Sequence, residues 1–274
     1  MMKTITPQDL DNFQLQTLLQ TAIAPRPIAL ASTVDKDGNV NLSPFSFFNM
    51  FSSNPPIVIF SPARRVRDNT TKHTLENVLE VPEVVIGIVN YKIVQQISLA
   101  STEYGKEVNE FVKSGLTMKD ADLVKPKLIE ECPVNLECNV LEIKQLGTEG
   151  GAGNLVICEV IKIHVREEYL NEQGALDQKK LDLVARLGGS WYSRNNAENL
   201  FEVPKPLATK GIGFDLLPEE IKYSKIFTGN DLGMLANVEE LLEGNFSAEE
   251  NVHLEAQKFL LKNNIAEAWK ILKK

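Results

Sequence analysis

The chain contains 274 residues, of which 43% are hydrophobic and 24% are charged, so it is expected to form one large domain or one domain with an appendage. Its formal net charge of −8 argues against nucleic acid or an anionic membrane as the main partner, because both require a basic surface. The odd number of cysteines, the lack of an apolar signal core near the N-terminus and the lack of a membrane-spanning run predict a reduced, cytoplasmic protein.

The first ninety residues are typical of one helix followed by strands and turns. Thr6-Pro7 is a helix start, and the apolar positions after it continue to the stop at Ala24-Pro25. The DKDG sequence at 35–38 predicts a hairpin turn, and Thr70 or Thr71 is expected to cap a short second helix. The strands predicted in this part are 28–34, 39–44, 57–61 and 84–90.

The stretch 41–77 combines two kinds of surface. Its first half places small polar residues such as Ser43 and Asn49 among phenylalanines, and these residues can bond the heteroatoms of a flat ring. Its second half is cationic between Arg64 and Lys72, and cations with hydroxyl groups bind phosphate. Flavin mononucleotide (FMN) matches both ends. The alternative is a solvated cationic surface beside core phenylalanines, which composition alone favours.

Two long strands follow a helical region. Residues 92–113 are predicted to be helical in two pieces, broken near Tyr104-Gly105. The apolar residues of 134–146 alternate and then slip in phase, which predicts a bulge, and 154–165 alternates again. The glycine-rich loop 147–153 precedes a strand, so it is a hairpin connection and not a phosphate-binding motif. Six main strands without repeated βαβ units predict a mainly β fold with helical additions, an antiparallel Greek-key-like barrel.

The barrel is expected to end near residue 200. For Trp191 and Tyr192, just before this point, three roles stay open: stacking on a planar ligand, packing in a subunit interface, or core packing beside a tight turn. Beyond this point the composition changes, and a capping box at 247–250 predicts the start of one of several helices. We therefore divide the chain into a domain of residues 1–200 and a helical C-terminal extension of residues 201–274.

Metal and redox chemistry are not indicated by the sequence. The three histidines are far apart and have no carboxylate–histidine cluster near them, so no metal site is predicted. Cys138 and Cys158 lie in apolar runs and are expected to be buried, whereas Cys132 lies at a strand entry, where it could be exposed.

Several short sequence motifs of this chain are similar to motifs of a known protein family. They are Pro25-Arg26-Pro27, the NLSPFS sequence at 41–46 with Asn49, residues 61–65, Lys72-His73-Thr74 with Asn77, and Leu187-Gly188-Gly189 with Tyr192. With these patches the chain resembles the flavin-reductase-like family of FMN-binding split-barrel flavoproteins. That family includes flavoredoxin and the reductase components of two-component monooxygenases, and the likeness covers roughly residues 20–195. The family's common form has Asp where this chain has His73.

The resemblance implies a site for each end of FMN. The residues that would line the isoalloxazine ring are Ser43, Phe45, Ser46 and Asn49. The residues that would hold the phosphate are Ser61, Arg65, Lys72 and Thr74, with Asn77 in the same patch. Such sites lie at a dimer interface, so Trp191, Tyr192 or Arg26 would reach the flavin of the other subunit.

The implied activity is that of an FMN-containing oxidoreductase of the flavin reductase type. This homodimer would move electrons from NADH or NADPH to flavin or another acceptor, with a monooxygenase or another electron-transfer protein as partner. No catalytic side chain is implied, because the flavin carries the chemistry. Two alternatives stay open: a flavoredoxin-like FMN electron carrier without a pyridine nucleotide site, and a non-enzymatic ligand-binding barrel. The implied fold is a six-stranded antiparallel Greek-key split β-barrel with a C-terminal helical extension.

Overall fold

The computed structural model describes residues 1–207 and 209–273, and the chain divides into two units, Met1–Leu200 and Phe201–Lys274. The strands are β1 (Ala29–Val34), β2 (Val40–Phe45), β3 (Phe48–Ser53), β4 (Pro56–Phe60), β5 (Glu83–Ile88), β6 (Met118–Lys119), β7 (Leu128–Ile129), β8 (Val134–Gln145), β9 (Asn154–Val165), β10 (Leu183–Arg186) and β11 (Tyr192–Asn195). The helices are α1 (Asn12–Ala22), α2 (His73–Glu80), α3 (Val94–Ala100), α4 (Glu110–Ser114), α5 (Gln178–Leu181), α6 (Glu219–Lys222), α7 (Gly229–Ala236), α8 (Glu250–Leu260) and α9 (Ile265–Leu272). In the described ranges, none of these helices is both long and apolar enough to cross a membrane.

Within the described residues, seven strands of the first unit form one antiparallel sheet in the order β2-β1-β5-β8-β9-β4-β3. The prediction of a mainly β fold with helical additions is confirmed, but the predicted number of six strands is too small. The additional strand is β3, which pairs with β4 in the register Asn49↔Ile59. Since β2 and β3 are the two ends of this order, the sheet is open. The Greek-key connectivity stays a prediction.

Strand β1 is buried on both faces because helices cover both sides of the sheet. Leu30 packs in the cluster that contains residues of α3 and α4, whereas Ala29 and Ala31 pack in the cluster that contains Leu75 and Val78 of α2. Side chains alternate along a strand, so a strand with two covered faces needs an uninterrupted small and apolar run. Helices α2, α3 and α4 also contact β2, and this edge strand therefore collects residues from all three.

The long hairpin of β8 and β9 contains the predicted bulge. Its register shifts between Val140 and Glu142, which is where the apolar residues change phase in the sequence. A second shift lies between Glu137 and Cys138. The loop 147–153 connects the two strands as a hairpin, as predicted.

Three predicted helix caps are wrong, and at α2 the N-cap position is taken by Lys72 and not by Thr70 or Thr71. Helix α1 follows Asp11, whose carboxylate accepts from the backbone N–H of Gln14 at 2.8 Å, and the predicted start at Thr6-Pro7 is only a 3₁₀ turn. Helix α8 begins after Glu249, whose own N–H donates to the Ser247 hydroxyl at 3.2 Å in place of the predicted capping box.

The second unit packs its helices around a core of its own. Trp269 meets Phe246 edge-on, with ring centroids 5.5 Å apart, and both side chains are buried. The buried imidazole of His253 is hydrogen-bonded to the Ser224 hydroxyl at 2.8 Å and to the Ser247 carbonyl oxygen at 2.7 Å. His253 therefore has a structural role in this unit.

Candidate functional site

The cationic loop between β4 and α2 is braced by one of its own arginines. Arg64 donates to the side-chain oxygen of Asn69 at 2.6 Å and to the Asn69 carbonyl oxygen at 2.5 Å. Asn69 has a φ of 55°, a left-handed conformation that asparagine tolerates better than most residues. The Arg64 carbonyl oxygen also accepts from the N–H of Gly151 at 3.0 Å. Arg64 therefore fixes the shape of the loop.

Four of the predicted site residues line one narrow cleft. Ser43 comes from β2, Arg65 and Lys72 from the loop, and Thr74 from the start of α2. The segment 100–104, which follows α3, lines the cleft as well. Three residues that the resemblance assigns to the phosphate, Arg65, Lys72 and Thr74, thus face a common space with Ser43, which it assigns to the ring.

Glu103 lies at the centre of the cations around this cleft. Its carboxylate is 2.9 Å from Arg65 Nε, 3.3 Å from Lys72 Nζ and 3.2 Å from Arg67 Nη2. The hydrogen bond from Arg65 is the main cause that lowers the pKa of Glu103 below its usual range. A carboxylate and a phosphate accept hydrogen bonds from the same kinds of donor, so the cations around Glu103 are of a type that also binds phosphate.

The N-terminus of α2 opens on the same cleft. The first N–H groups of a helix, here those of His73 and Thr74, have no acceptor within the helix, and they carry its partial positive charge. Of the two expected caps, Thr70 donates its hydroxyl to the Asp68 carboxylate at 2.6 Å and Thr71 donates its hydroxyl to the Glu76 carboxylate at 2.5 Å. Arg65, Lys72 and the helix end together form a site suited to a phosphate group.

A buried hydrogen-bonded chain fixes the inner wall of the cleft. Thr74 Oγ1 donates to Asn41 Oδ1 at 2.7 Å, and Asn41 Nδ2 donates to Glu110 Oε1 at 2.9 Å. The second oxygen of Glu110 accepts from the N–H of Leu42 at 3.1 Å, and burial raises the pKa of this carboxyl. Since the Thr74 hydroxyl proton is used inside the fold, its backbone N–H is the donor that it offers to a ligand.

The predicted ring-binding residues occupy different environments. Ser43 lines the cleft, whereas Phe45 is buried in the core, with its ring centroid 5.5 Å from that of Phe60. Ser46 Oγ accepts from Arg26 Nε at 3.4 Å, and Asn49 is exposed on β3. The side chain of Phe45 is thus a core residue and does not face the cleft.

Arg26 is a structural clamp at the end of α1. Its guanidinium donates to the carbonyl oxygens of Gln20 at 2.5 Å and Ile23 at 2.6 Å, in the last turn of the helix. It also donates to the Leu187 carbonyl oxygen at 3.0 Å, and the residue is only 8% exposed. Its side chain therefore points into its own subunit, whereas Trp191 projects from the hairpin of β10 and β11 into solvent.

Two other predicted site residues are not part of the lining of the cleft. Asn77 is buried and donates from Nδ2 to Thr33 Oγ1 at 3.1 Å. Ser61 is buried as well, and its hydroxyl accepts from the N–H of Asn154 at 3.1 Å. Both side chains hold the neighbouring elements in place.

The prediction that no carboxylate–histidine cluster is present is wrong, because one lies in the first unit, away from the cleft. The pairing of β8 with β9 brings His164 Nε2 within 2.5 Å of the buried Glu137 carboxylate, with Asp122 nearby. Glu137 also accepts from three consecutive backbone N–H groups, at 122–124. The buried Glu137 carboxylate thus holds the backbone of residues 122–124 in place, which gives it a structural role.

The three thiols are buried, including Cys132, for which the sequence allowed exposure. Burial is the main cause that raises the pKa of each thiol, and it raises that of Cys138 to about 12. The thiolate form is therefore disfavoured at neutral pH in the folded chain.

Comparison with known proteins adds a family and related folds. Residues 21–182 match the family described as flavin reductase like domain. The chain is 34% identical over 185 residues to an uncharacterized protein of Aquifex aeolicus, covering 68% of this chain and 92% of that one. It is 28% identical to component B of nitrilotriacetate monooxygenase from Bacillus cereus, with a TM-score of 0.69 over 74% of this chain and 99% of that one. A Shewanella frigidimarina protein with a split barrel domain has the same fold, with 24% identity and a TM-score of 0.62 over 73% and 96% of the two chains.

Proposed function

The chain belongs to the flavin reductase like family, and from this we propose that it is an FMN-dependent oxidoreductase. It takes electrons from NADH or NADPH and passes them to free flavin or another acceptor. Bound FMN supplies the hydride chemistry, so the protein has to bind it, orient it and shield it from water. The observation that carries the proposal is the group of Arg65, Lys72 and the α2 N-terminus around a single anionic side chain, Glu103.

The phosphate end fits this group by charge and by donor type. Arg65 and Lys72 would donate to the phosphate oxygens in place of Glu103, together with the first N–H groups of α2. Ser61 and Asn77 would support this end indirectly, since their side chains bond the neighbouring strands. Thr74 would act through its backbone.

The ring end would be provided by the edge strand β2 and the turn that follows it. Ser43 and Ser46 offer hydroxyl groups there, Asn49 offers an exposed amide on β3, and Phe45 supports the strand from the core. The N–H of Leu42 is already bonded to the buried Glu110 carboxylate, so the donors offered to a ring on this side are the two hydroxyl groups and the Asn49 amide. Such donors suit the polar edge of an isoalloxazine ring.

A homodimer with FMN at its interface is supported by the apolar surface around β3. Met50 and Phe51 are each 65% exposed at this sheet edge, and exposed apolar edge strands favour association. In the dimer, Trp191 would reach the flavin of the partner, whereas Arg26 and Tyr192 would act within their own subunit. The three free thiols favour a reducing compartment such as the cytoplasm.

A monooxygenase is the partner that we propose for the reduced product, since one similar structure is by its name a component of a monooxygenase. Any electron acceptor must reach the reduced flavin, and an open cleft at a sheet edge permits this.

The test begins with the visible spectrum of the purified protein after reconstitution with FMN. Anaerobic stopped-flow mixing with NADH or NADPH should bleach the bound flavin, and dithionite serves as the control for complete reduction. Bound flavin that dithionite bleaches and neither nucleotide bleaches would identify an electron carrier instead. A colourless protein that FMN cannot reconstitute would refute the proposal and leave a ligand-binding barrel.

A further inference from the structure

A second cavity, of about 370 Å³, lies between the hairpin of β10 and β11 and the segment that leads into α3. Its described lining contains Arg186, Arg194, Tyr91 and Tyr192 and no acidic residue. The chain as a whole has a net charge of −8, so this cavity is locally positive on an acidic protein.

Each arginine of this cavity lies over a tyrosine ring. The guanidinium carbon of Arg194 is 3.7 Å from the centroid of the Tyr91 ring, and that of Arg186 is 4.7 Å from the centroid of the Tyr192 ring. An arginine stacked in this way keeps its N–H groups at the edge of its plane, where a phosphate can accept from them.

The two arginines differ in how far their charge is already neutralised. Arg194 forms two bonds to the Asp182 carboxylate, at 2.8 and 2.7 Å. Arg186, by contrast, takes part in none of the ion pairs found within 4.0 Å among residues 1–207 and 209–273. Its side chain donates to the Trp191 carbonyl oxygen at 3.4 Å. The pKa of Arg26 is lowered mainly by burial of Arg26 and, as a second cause, by the nearby charge of Arg186.

Ser193 supplies a polar atom that needs a partner. Its hydroxyl oxygen is buried and makes no hydrogen bond within the described part of the chain, and the residue lines the cavity. Buried hydroxyl groups in folded proteins are normally hydrogen-bonded, so a polar group in the cavity would satisfy this one.

The cavity and the cleft proposed for FMN both take part of their lining from helix α3. Val94, Gln95 and Ser98 of α3 line the cavity, whereas Ala100, at the end of the same helix, lines the cleft. Ser98 and Ala100 are two residues apart and so point to different sides of α3. The same helix therefore contributes residues to the walls of both spaces.

We propose that this cavity binds the phosphate-bearing adenosine half of the pyridine nucleotide that donates electrons. Arg186 is the main phosphate ligand, Arg194 assists it, and the two tyrosines provide the aromatic surface against which the adenine packs. This inference rests on the proposed function, because it identifies the binding site of the electron donor.

Direct binding of 5′-ADP and 2′,5′-ADP, measured by calorimetry, tests the site without any redox reaction. Trp191 emission provides a second signal, because Trp191 is 76% exposed beside the cavity while Trp269 is buried in the other unit. We expect saturable binding of at least one of the two. Equal affinities would show that the 5′-phosphate is recognised, and tighter binding of 2′,5′-ADP would show that the 2′-phosphate of NADPH is recognised. If neither nucleotide binds at millimolar concentration, the inference is overturned.

Matched variants separate a specific site from general charge attraction. Arg186→Gln should weaken nucleotide binding about tenfold or more, because it removes a charged donor, and Arg186→Lys should restore part of the loss. Lys92→Gln is the control, since the exposed Lys92 lies beside Tyr91 and does not line the cavity. Equal effects of Arg186→Gln and Lys92→Gln would overturn the inference. Ser193→Ala tests the same site without a change in charge and should also weaken binding.

Titration with FMN, followed in the visible spectrum, distinguishes failure of the inference from failure of the proposed function. FMN binding without ADP binding would refute the nucleotide site alone. ADP binding without FMN binding would refute the proposed function, and with it the role of the nucleotide as electron donor.

Discussion

Replacing Glu103 with glutamine should make FMN bind more tightly. The Glu103 carboxylate takes the donors of Arg65 and Lys72 that the phosphate of FMN would need. In the wild-type chain, the phosphate therefore has to displace a charged competitor before it can bind. The amide side chain of glutamine keeps the size of the carboxylate that it replaces and loses the charge.

The expected gain follows from the exposure of the two ion pairs. Their distances are 2.9 and 3.3 Å, but the Glu103 side chain is 40% exposed, so water screens both pairs. Exposed pairs contribute roughly 0.2–1 kcal/mol each, and two of them sum to about 1 kcal/mol. The Kd for FMN should therefore fall about fivefold. The contact with Arg67 adds little to this sum, because that side chain is largely in solvent.

Quenching of FMN fluorescence on binding provides the assay. Glu107→Gln is the matched control, because Glu107 lies in the same exposed segment and belongs to none of the ion pairs among the described residues. The gain should shrink as salt is added, since salt screens charges at the surface. An unchanged or higher Kd for Glu103→Gln, with the control unchanged, would refute the competition between Glu103 and phosphate.

The ratio of the two Kd values should also depend on pH. The pKa of Glu103 is lowered in the folded chain, chiefly by Arg65, so the ionised form is favoured by folding. The ionised Glu103 therefore contributes fully to stability, and competes fully with phosphate, at any pH above the usual pKa of a carboxyl group. Both effects are lost as the pH falls through the lowered pKa of Glu103. The ratio between wild type and Glu103→Gln should stay constant from pH 8 down to about pH 5 and approach one only in stronger acid.

Three further predictions concern the cations, the thiols and the second unit. Replacing Arg65 and Lys72 together by alanine should raise the Kd for FMN roughly a hundredfold, because two charge-assisted bonds are lost; an unchanged Kd rejects the phosphate end. Native protein at pH 8 should resist alkylation of its thiols, such as Cys138 with its pKa raised to about 12, until urea unfolds it; rapid native labelling would contradict their burial. Trp269→Ala should lower the free energy of unfolding of the second unit by roughly 3–5 kcal/mol in urea titrations, and a change near zero would show that this core is not built on Trp269.

Much of the sheet could be predicted because strands with one buried face show alternating apolar and polar residues in the sequence. The alternation in β8 and its slip after Val140 predicted a bulge that the strand pairing contains. Strand β3 was missed, since its side chains, such as Met50 and Phe51, are exposed and show no alternation. Its place in the sheet comes from backbone pairing with β4, which leaves little trace in side-chain type.

The candidate site was predictable only in part. The cations and hydroxyl groups of the phosphate end are close in sequence, so their clustering between Arg64 and Thr74 was visible. Glu103 and Glu110 belong to a segment that folds back over the cleft, and nothing local marks them as neighbours of Arg65 or Asn41. The burial of Phe45 likewise depends on the opposite strand, since an aromatic residue in a strand suits either a core or a ligand.

The clamp formed by Arg26 couples two distant stretches of chain mechanically. The Arg26 guanidinium is hydrogen-bonded both to the end of α1 and to Leu187, in the turn between β10 and β11. In the same region Gly188 lies so close to Thr21 that an added Cβ would come within 2.2 Å of the Thr21 hydroxyl oxygen. A pull on the N-terminus is therefore transmitted to the hairpin. A surface tether attached ahead of α1 would load the β10–β11 hairpin at Leu187, which lies 161 residues beyond the clamping arginine in the sequence.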